Sequence, residues 1–296
     1  MISIAMATYN GEEFLEKQLD SILHQTIQDF EVVICDDQSK DSTWQILEKY
    51  AQHDQRFRIY RNEQNLGFKK NFEKAIGLTK GEYIALSDQD DIWYPRHLEI
   101  LLNNIGENML CIGNCDMIDQ DDNIYPQRYY EDSQQYHYLY TDSIRQSCRI
   151  LFTISPFIGC SMMMKRSFLD KALPLPEEIK YHDVWFSLIG CFCGMTFTQE
   201  KVIHYRMTGR NVTGLRTNQL SKWIMFKIFL KLLLFNEVPQ GRIEMVEFII
   251  KKVTLDPKEL TFLRKSIRVL SIKGNVFACV QNVPFYIKHC KHILTF

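Results

Sequence analysis

Four short apolar runs, ISIAMA (2–7), FEVVIC (30–35), FRIYRN (57–62) and EYIAL (82–86), alternate with stretches whose apolar residues recur at helical spacing. Apolar runs of this length read as strands buried on both faces, and parallel neighbours of that kind need helical crossovers between them. The alternation therefore predicts an α/β fold with an open, mostly parallel sheet flanked by helices. The first helix carries Phe14, Leu15, Leu19, Ile22 and Leu23 on one face, and Asn10 and Glu13 ahead of it have the spacing of a capping box. STWQILEKYAQH (42–53), with Ser42 as its cap, and KKNFEKAIGLT (69–79) are the next two helices. PRHLEILLNNI (95–105) reads as a helix with Pro95 in its first turn. MLCIGNC (109–115) reads as a strand, and FIGCSMMMKRSFLDKAL (157–173) as a strand turning into a short helix. YHDVWFSLIGCFCG (181–194) is a further helix and KVIHYRM (201–207) a last strand, whereas the polar, Tyr-rich stretch 119–150 shows no usable period.

Ligands of open α/β sheets bind beyond the carboxyl ends of the strands. Three polar clusters, TYN (8–10), DDQS (36–39) and SDQDD (87–91), each follow a predicted strand, so they converge on one edge of one sheet. The last crowds Asp88, Asp90 and Asp91 into four positions. Carboxylates that close raise one another's pKa, and a hard divalent cation with oxygen ligands would relieve them. The alternative is an Asx-type turn with solvated carboxylates.

Net charge is −1 overall, but the chain is polarised. From Arg216 onward there are 14 Lys and Arg against five Asp and Glu, while residues 1–215 hold 21 basic and 31 acidic groups. This predicts an acidic body, 1–215, and a basic, apolar helical tail, 216–296, suited to an anionic membrane surface or to contact with another copy of the chain. WIMFKIFLKLLLF (223–235) is too short and too charged for a membrane span. The nine cysteines lie mostly in apolar runs and read as buried thiols of a reducing compartment, Cys191 and Cys193 as core rather than metal ligands. MISIAMATYN lacks the features of a secretory signal, so NVT (211–213) is not expected to be glycosylated and a cytoplasmic protein is expected, peripheral at the inner face of the membrane. The basic residues show no nucleic-acid recognition motif, so no nucleic-acid partner is expected.

SDQDDIW resembles the D-x-D segment of family two glycosyltransferases, particularly their rhamnosyltransferase-like branch. The resemblance continues through ATYNGEEFLEKQLDSILHQT, DDQSKDST, NLGFKKNFEKA and HDVW in that order and spans about residues 1–210. It implies a GT-A fold, a Rossmann-like domain, and an inverting transfer that depends on Mn²⁺ or Mg²⁺. The implied donor is a nucleoside-diphosphate sugar, dTDP-rhamnose first and a UDP-sugar second. The acceptor is a saccharide or a lipid-linked precursor of a bacterial surface polysaccharide.

Residue by residue, the resemblance puts Thr8 and Tyr9 in the nucleotide pocket and Asp37 on the N3–H of the base, with Asp36 bracing the loop. Asn65, Gly67 and Lys69 or Asn71 shape the nucleotide side, Asp88 faces the ribose and metal, and Asp90 is the direct metal ligand. Asp183 in HDVW is the catalytic base; the alternative is a helix N-terminal acid stabilised by the dipole. His182 shapes the site, Trp185 is core or an acceptor platform, and GCSMMM (159–164) lies near the acceptor or is buried strand. Relatives carry a histidine where this chain has Thr208; Arg206, Arg210 and His204 remain as candidate diphosphate contacts. The rival readings are a nucleotidyltransferase, against which TYNGEE offers only one glycine, and a nucleotide-sugar binder without turnover.

Overall fold

The computed structural model describes residues 1–125, 147, 150–151, 157–208 and 241–271. The apolar run 223–235, Arg210 and most of the stretch 119–150 lie outside the described residues, so the expectations on them are left where the sequence put them.

β1 (Ile2–Thr8), β2 (Phe30–Asp36), β3 (Phe57–Arg61) and β4 (Tyr83–Ser87) form the parallel half of the sheet. All of β2 and all but one residue of β1 are buried, as continuous apolar runs demand of strands covered on both faces. The crossovers are α1 (Leu15–Leu23), α2 (Thr43–His53) and α3 (Phe68–Gly77). Next come β5 (Ile92–Trp93), α4 (His97–Ile105), β6 (Leu110–Ile118), β7 (Met162–Lys165), α5 (Arg166–Ala172), α6 (His182–Cys193), β8 (Met195–Arg206), α7 (Arg242–Lys252) and α8 (Pro257–Leu270).

Among the described residues the eight strands make one sheet in the order β3-β2-β1-β4-β7-β6-β8-β5. It is more mixed than the sequence predicts. β7 runs antiparallel to both β4 and β6, and β5 antiparallel to β8. The three methionines of β7 are buried whichever face they point to, so their pattern carries no sign of direction; only the route of the chain sets it. β8 begins at Met195, six residues before the predicted Lys201, because polar Thr196, Gln199 and Glu200 interrupt the apolar signal.

Two predicted caps form differently. Ser42 stands at the N-cap of α2 but makes no side-chain cap; Asp41 Oδ1 accepts from the Thr43 N–H at 3.0 Å instead. The Asn10–Glu13 box does not close on α1, whose N-cap is Phe14. Asn10 takes a left-handed φ of 50° and its Oδ1 accepts from the Lys40 N–H. At α8 a capping box does close, between Asp256 and Glu259, with Pro257 in the first turn.

The chain divides into two compact units. The first comprises Met1–Asp132, Phe157–Pro174 and Gly194–Leu215 and holds the whole sheet. The second comprises Ser133–Pro156, Leu175–Cys193 and Arg216–Phe296. It is therefore not built from the tail alone: α6, which carries HDVW, belongs to it. Trp185 is fully buried there and meets Phe248 of α7 edge-on at 5.0 Å, which makes it core rather than an acceptor platform. No helix among the described residues is long and apolar enough to cross a membrane.

Candidate active site

β1 has β2 on one side and β4 on the other, so the strand order reverses there, and the crevice at such a switch point is where this class of sheet binds ligands. The β1–β4 ladder ends at Met6↔Ser87, whereas β1–β2 runs on to Thr8↔Asp36. Beyond Met6↔Ser87 the backbone pairing of these two strands stops, and the loop after β1 and the acidic loop after β4 lie side by side, joined by the Gln89 side chain.

The loop after β1 is tied on every side. The N–H of Tyr9 donates to Gln89 Oε1 (2.8 Å), that of Asn10 to Ser39 Oγ (2.9 Å), that of Gly11 to Thr43 Oγ1 (2.7 Å) and that of Glu12 to Asp41 Oδ2 (3.1 Å). Four consecutive donors thus end on protein side chains. The Tyr9 side chain, 46% exposed, is left at the surface. Thr8 is buried, and its hydroxyl donates to Asp36; it braces the loop from beneath rather than lining an open pocket. Asp36 also accepts from the backbone N–H and hydroxyl of Ser39, and Arg61 approaches it at 3.6 Å.

Asp37 is only 2% exposed. Its Oδ1 accepts from Asn62 Nδ2 (2.7 Å) and the Leu66 N–H (2.7 Å), and its Oδ2 from the Gly67 N–H (2.8 Å). A carboxylate has about four lone-pair sites, so three are committed to shaping the NLGF turn and one remains on Oδ2. Asn65 closes the same turn, donating to the Asp37 carbonyl and accepting from Gly67, whose φ of 80° favours glycine. Asn71 is buried and bridges Asn62 to the Cys35 carbonyl, a core role rather than a pocket one. Lys69 is half-buried in the first turn of α3.

The acidic loop rests on two buried groups. Gln18 of α1, fully buried, accepts through its amide oxygen from Trp93 Nε1 and Ser87 Oγ and donates through its nitrogen to the Asp91 carbonyl and Ser21 Oγ. Arg206 at the end of β8 is the second. Its Nε donates to the Asp90 carbonyl (2.7 Å) and its Nη1 to the carbonyls of Asp119 (2.8 Å) and Gln120 (3.2 Å), its Nη2 pairs with Asp122 (2.6 Å), and the guanidinium covers the Phe14 ring at 4.4 Å. With no exposed side-chain surface it is a clamp on the loop. This corrects the expectation of a diphosphate contact: a guanidinium so enclosed has no face left for a ligand. His204 is half-buried beside Tyr94, 4.1 Å between ring centres, and burial pushes its pKa down. Thr208 is half-buried, its carbonyl accepting from Gln120.

The three aspartates are not equivalent. Asp91 is buried, accepts from the Arg206 N–H, and is held well above the usual carboxylate range by burial and by the carboxylates of Asp90 and Asp88. Burial raises Asp90 as well. Asp88, Asp91 and Cys160 bring one ligand atom each to within 4.8 Å of one another, and Asp90 does not join that group. Crowded anionic groups whose protons are held too tightly fit a divalent cation, whose charge would reverse that. GCSMMM carries two readings, near the acceptor or buried strand, and neither gives Cys160 a place beside the aspartates; its three methionines are fully buried. The short 3₁₀ turn Gly159–Ser161 delivers the thiol.

Asp183 lies in the second unit, in the first turn of α6. It is 8% exposed, its Oδ1 accepts from the Val184 N–H, and burial pushes its pKa up to about 6 against the opposing pull of Arg242. Burial pushes His182 down to about 4, so its imidazole is neutral near pH 7.

Residues 3–173, more than half of the chain, match the sequence pattern of glycosyl transferase family 2. The chain belongs to that family. This glycosyltransferase is 27% identical over 228 residues to a Bacillus subtilis protein named for teichuronic acid biosynthesis, TuaG, a match covering 76% of this chain and 71% of that one. Its fold is similar to that of S. aureus TarS 1–349 in complex with UDP-GlcNAc, with a TM-score of 0.56 at 19% identity over 99% of this chain and 80% of that one. It is also similar to the mannosyltransferase PcManGT of Pyrobaculum calidifontis in complex with GDP-Man and Mn²⁺, with a TM-score of 0.56 at 14% identity over 97% of this chain and 75% of that one. The glycosyltransferase therefore has the GT-A type of α/β fold and is related to enzymes of bacterial polysaccharide synthesis.

Proposed function

We propose that this glycosyltransferase is an inverting, metal-dependent enzyme that moves a sugar from a nucleoside-diphosphate donor to a saccharide or lipid-linked acceptor. The observation that carries this reading is the loop after β1. Nucleotide-binding α/β proteins commonly hold phosphate on free N–H groups at a helix start or glycine-rich turn. Here the N–H groups of residues 9–12 all donate to side chains. The charge of a diphosphate then falls to the acidic loop and what it binds, which favours this reading over a nucleotidyltransferase.

Asp88 and Asp91, whose ligand atoms converge, and Asp90 beside them in the loop are the residues that would hold Mn²⁺ or Mg²⁺. A bound cation would offset the charge that develops on the departing diphosphate. The protein side chains do the rest. Asp37 and Asn65 fix the turn beside the base, and the last lone pair of Asp37 Oδ2 is free to accept its N3–H. Asp183 takes the proton of the acceptor hydroxyl, a task suited to a carboxyl whose pKa is raised toward neutrality. One displacement at the anomeric carbon inverts it. The order of motifs around SDQDDIW supports dTDP-rhamnose as the donor to test first, and the UDP-GlcNAc held by TarS supports a UDP-sugar second.

Calorimetry with UDP-, dTDP- and GDP-sugars, each with Mn²⁺, Mg²⁺ or EDTA, tests the reading. One donor class is expected to bind in metal and about tenfold more weakly in EDTA, and Asp90→Ala to bind equally weakly in both. Binding without turnover in any metal would favour the non-catalytic alternative, and no binding of any donor removes the proposal.

The basic surplus after residue 215 supports contact with an anionic lipid surface, where a lipid-linked acceptor would be met. The full chain is expected to float with phosphatidylglycerol vesicles at low salt, to be released as salt screens the attraction, and not to float with phosphatidylcholine. Failure to float at low salt takes the membrane out of the reading.

A further inference from the structure

We propose that Gln89, the middle residue of the acidic loop, is a positioning residue that couples the metal loop to the nucleotide loop, so that metal and nucleotide raise each other's affinity through it. The inference rests on the function proposed above. The structure offers an unusual link at the crevice. The Gln89 Oε1 accepts from the Tyr9 N–H (2.8 Å) and its Nε2 donates to the Tyr9 carbonyl (3.1 Å). One side chain thus pairs with both polar groups of one backbone residue, as a neighbouring strand would. It does so just past Met6↔Ser87, where the β1–β4 ladder has stopped. The amide is a strut between the two loops just beyond the end of that ladder.

Only a carboxamide meets this demand, because it has one acceptor and one donor side by side without charge. Glutamate would present a lone pair to the Tyr9 carbonyl and add a fourth carboxylate to the loop. Gly11 completes the arrangement: a Cβ there would stand 2.4 Å from Gln89 Oε1 and 2.9 Å from Nε2. Gln89 is bonded in sequence to Asp88 and Asp90, so a shift of those carboxylates toward a cation is passed to Tyr9 and the loop 9–12. The same loop is bonded to Ser39, Thr43 and Asp41 beyond β2. Coupling between two ligands is reciprocal, so each must tighten the other by the same factor.

The test measures that factor with defined probes on the full chain. The Kd of UDP and of dTDP is measured by calorimetry with and without Mn²⁺, and the Kd of Mn²⁺ by electron paramagnetic resonance with and without nucleotide. In the wild type the two factors are equal. Gln89→Met, which keeps the length and loses both hydrogen bonds, is expected to cut the factor roughly tenfold while changing metal-free nucleotide affinity little. Gly11→Ala, which displaces the amide without altering it, is expected to give the same loss, and the double variant no more than either alone. A merely structural role would lower the melting temperature and weaken both probes with the coupling factor intact. A wild-type factor retained in Gln89→Met overturns the inference, while absence of any coupling in the wild type overturns the metal-dependent reading itself and the inference with it.

Discussion

Asp183→Asn is expected to lower kcat by about 10²- to 10⁴-fold, the usual worth of a positioned general base, while donor affinity holds. The proposed role of Asp183 is to take the acceptor's proton, not to hold the donor, so losing it should leave KM for the donor in place. In the wild type, kcat should fall with decreasing pH below about 6, where the carboxyl takes up its proton, and Asp183→Asn should lose that limb. The same group makes a stability prediction of fixed sign. Its pKa when folded, about 6, lies above its ordinary value of 3.8, so the unfolded chain releases the proton more readily. The ionised group therefore opposes folding above pH 6 and does not below pH 4. A shift of about two units corresponds to roughly 3 kcal/mol. Asp183→Asn should melt higher than wild type at pH 8, with the difference vanishing toward pH 4. A variant that is less active and more stable is the mark of a group retained for chemistry. If kcat is unchanged, Asp183 is only the acidic first-turn residue of a helix.

The second large effect is structural. Arg206→Met should destabilise the protein by about 3–5 kcal/mol, because the clamp's partners stay behind when it is removed. The carbonyls of Asp90, Asp119 and Gln120 lose their donor, and Asp122 loses this cation and keeps Lys17. At this chain length that corresponds to a fall in Tm of roughly 10 °C, read by calorimetry. Arg206→Lys should rescue little, since one ammonium cannot reach three carbonyls and a carboxylate in the plane of a guanidinium. A Tm within 2 °C of wild type, less than about 1 kcal/mol, would contradict the clamp and return Arg206 to the role of a ligand contact.

Arg206 also shows why some of the site was hidden in the sequence. A basic residue near the end of a strand, with arginine again four positions on, reads as a pair of phosphate contacts. Whether the guanidinium turns out to a ligand or inward to carbonyls depends on Asp90 and Asp119, 116 and 87 positions away. Cys160 was hidden in another way. In an apolar run it looks like any buried thiol, and only the 3₁₀ turn before β7 sets it against Asp88 and Asp91. Asp37 was legible from DDQS as a polar residue just past a strand, but that most of its lone pairs fold the NLGF turn was not. Gln89 stood in plain view as the unremarked middle of D-x-D.

By itself the sequence determined the alternation of strands and helices, the parallel half of the sheet, and the three polar clusters at its carboxyl edge. Those follow from local properties, namely which residues are apolar, at what spacing, and where the runs stop. The tertiary structure alone decided the antiparallel placement of β7 and β5, the assignment of Asp183 to the second unit, and the partner that each polar group takes. Side-chain periodicity is fixed within a few residues, whereas strand direction and hydrogen-bond choice are settled by groups brought together from far along the chain, as Gln89 and Tyr9 are across 80 positions.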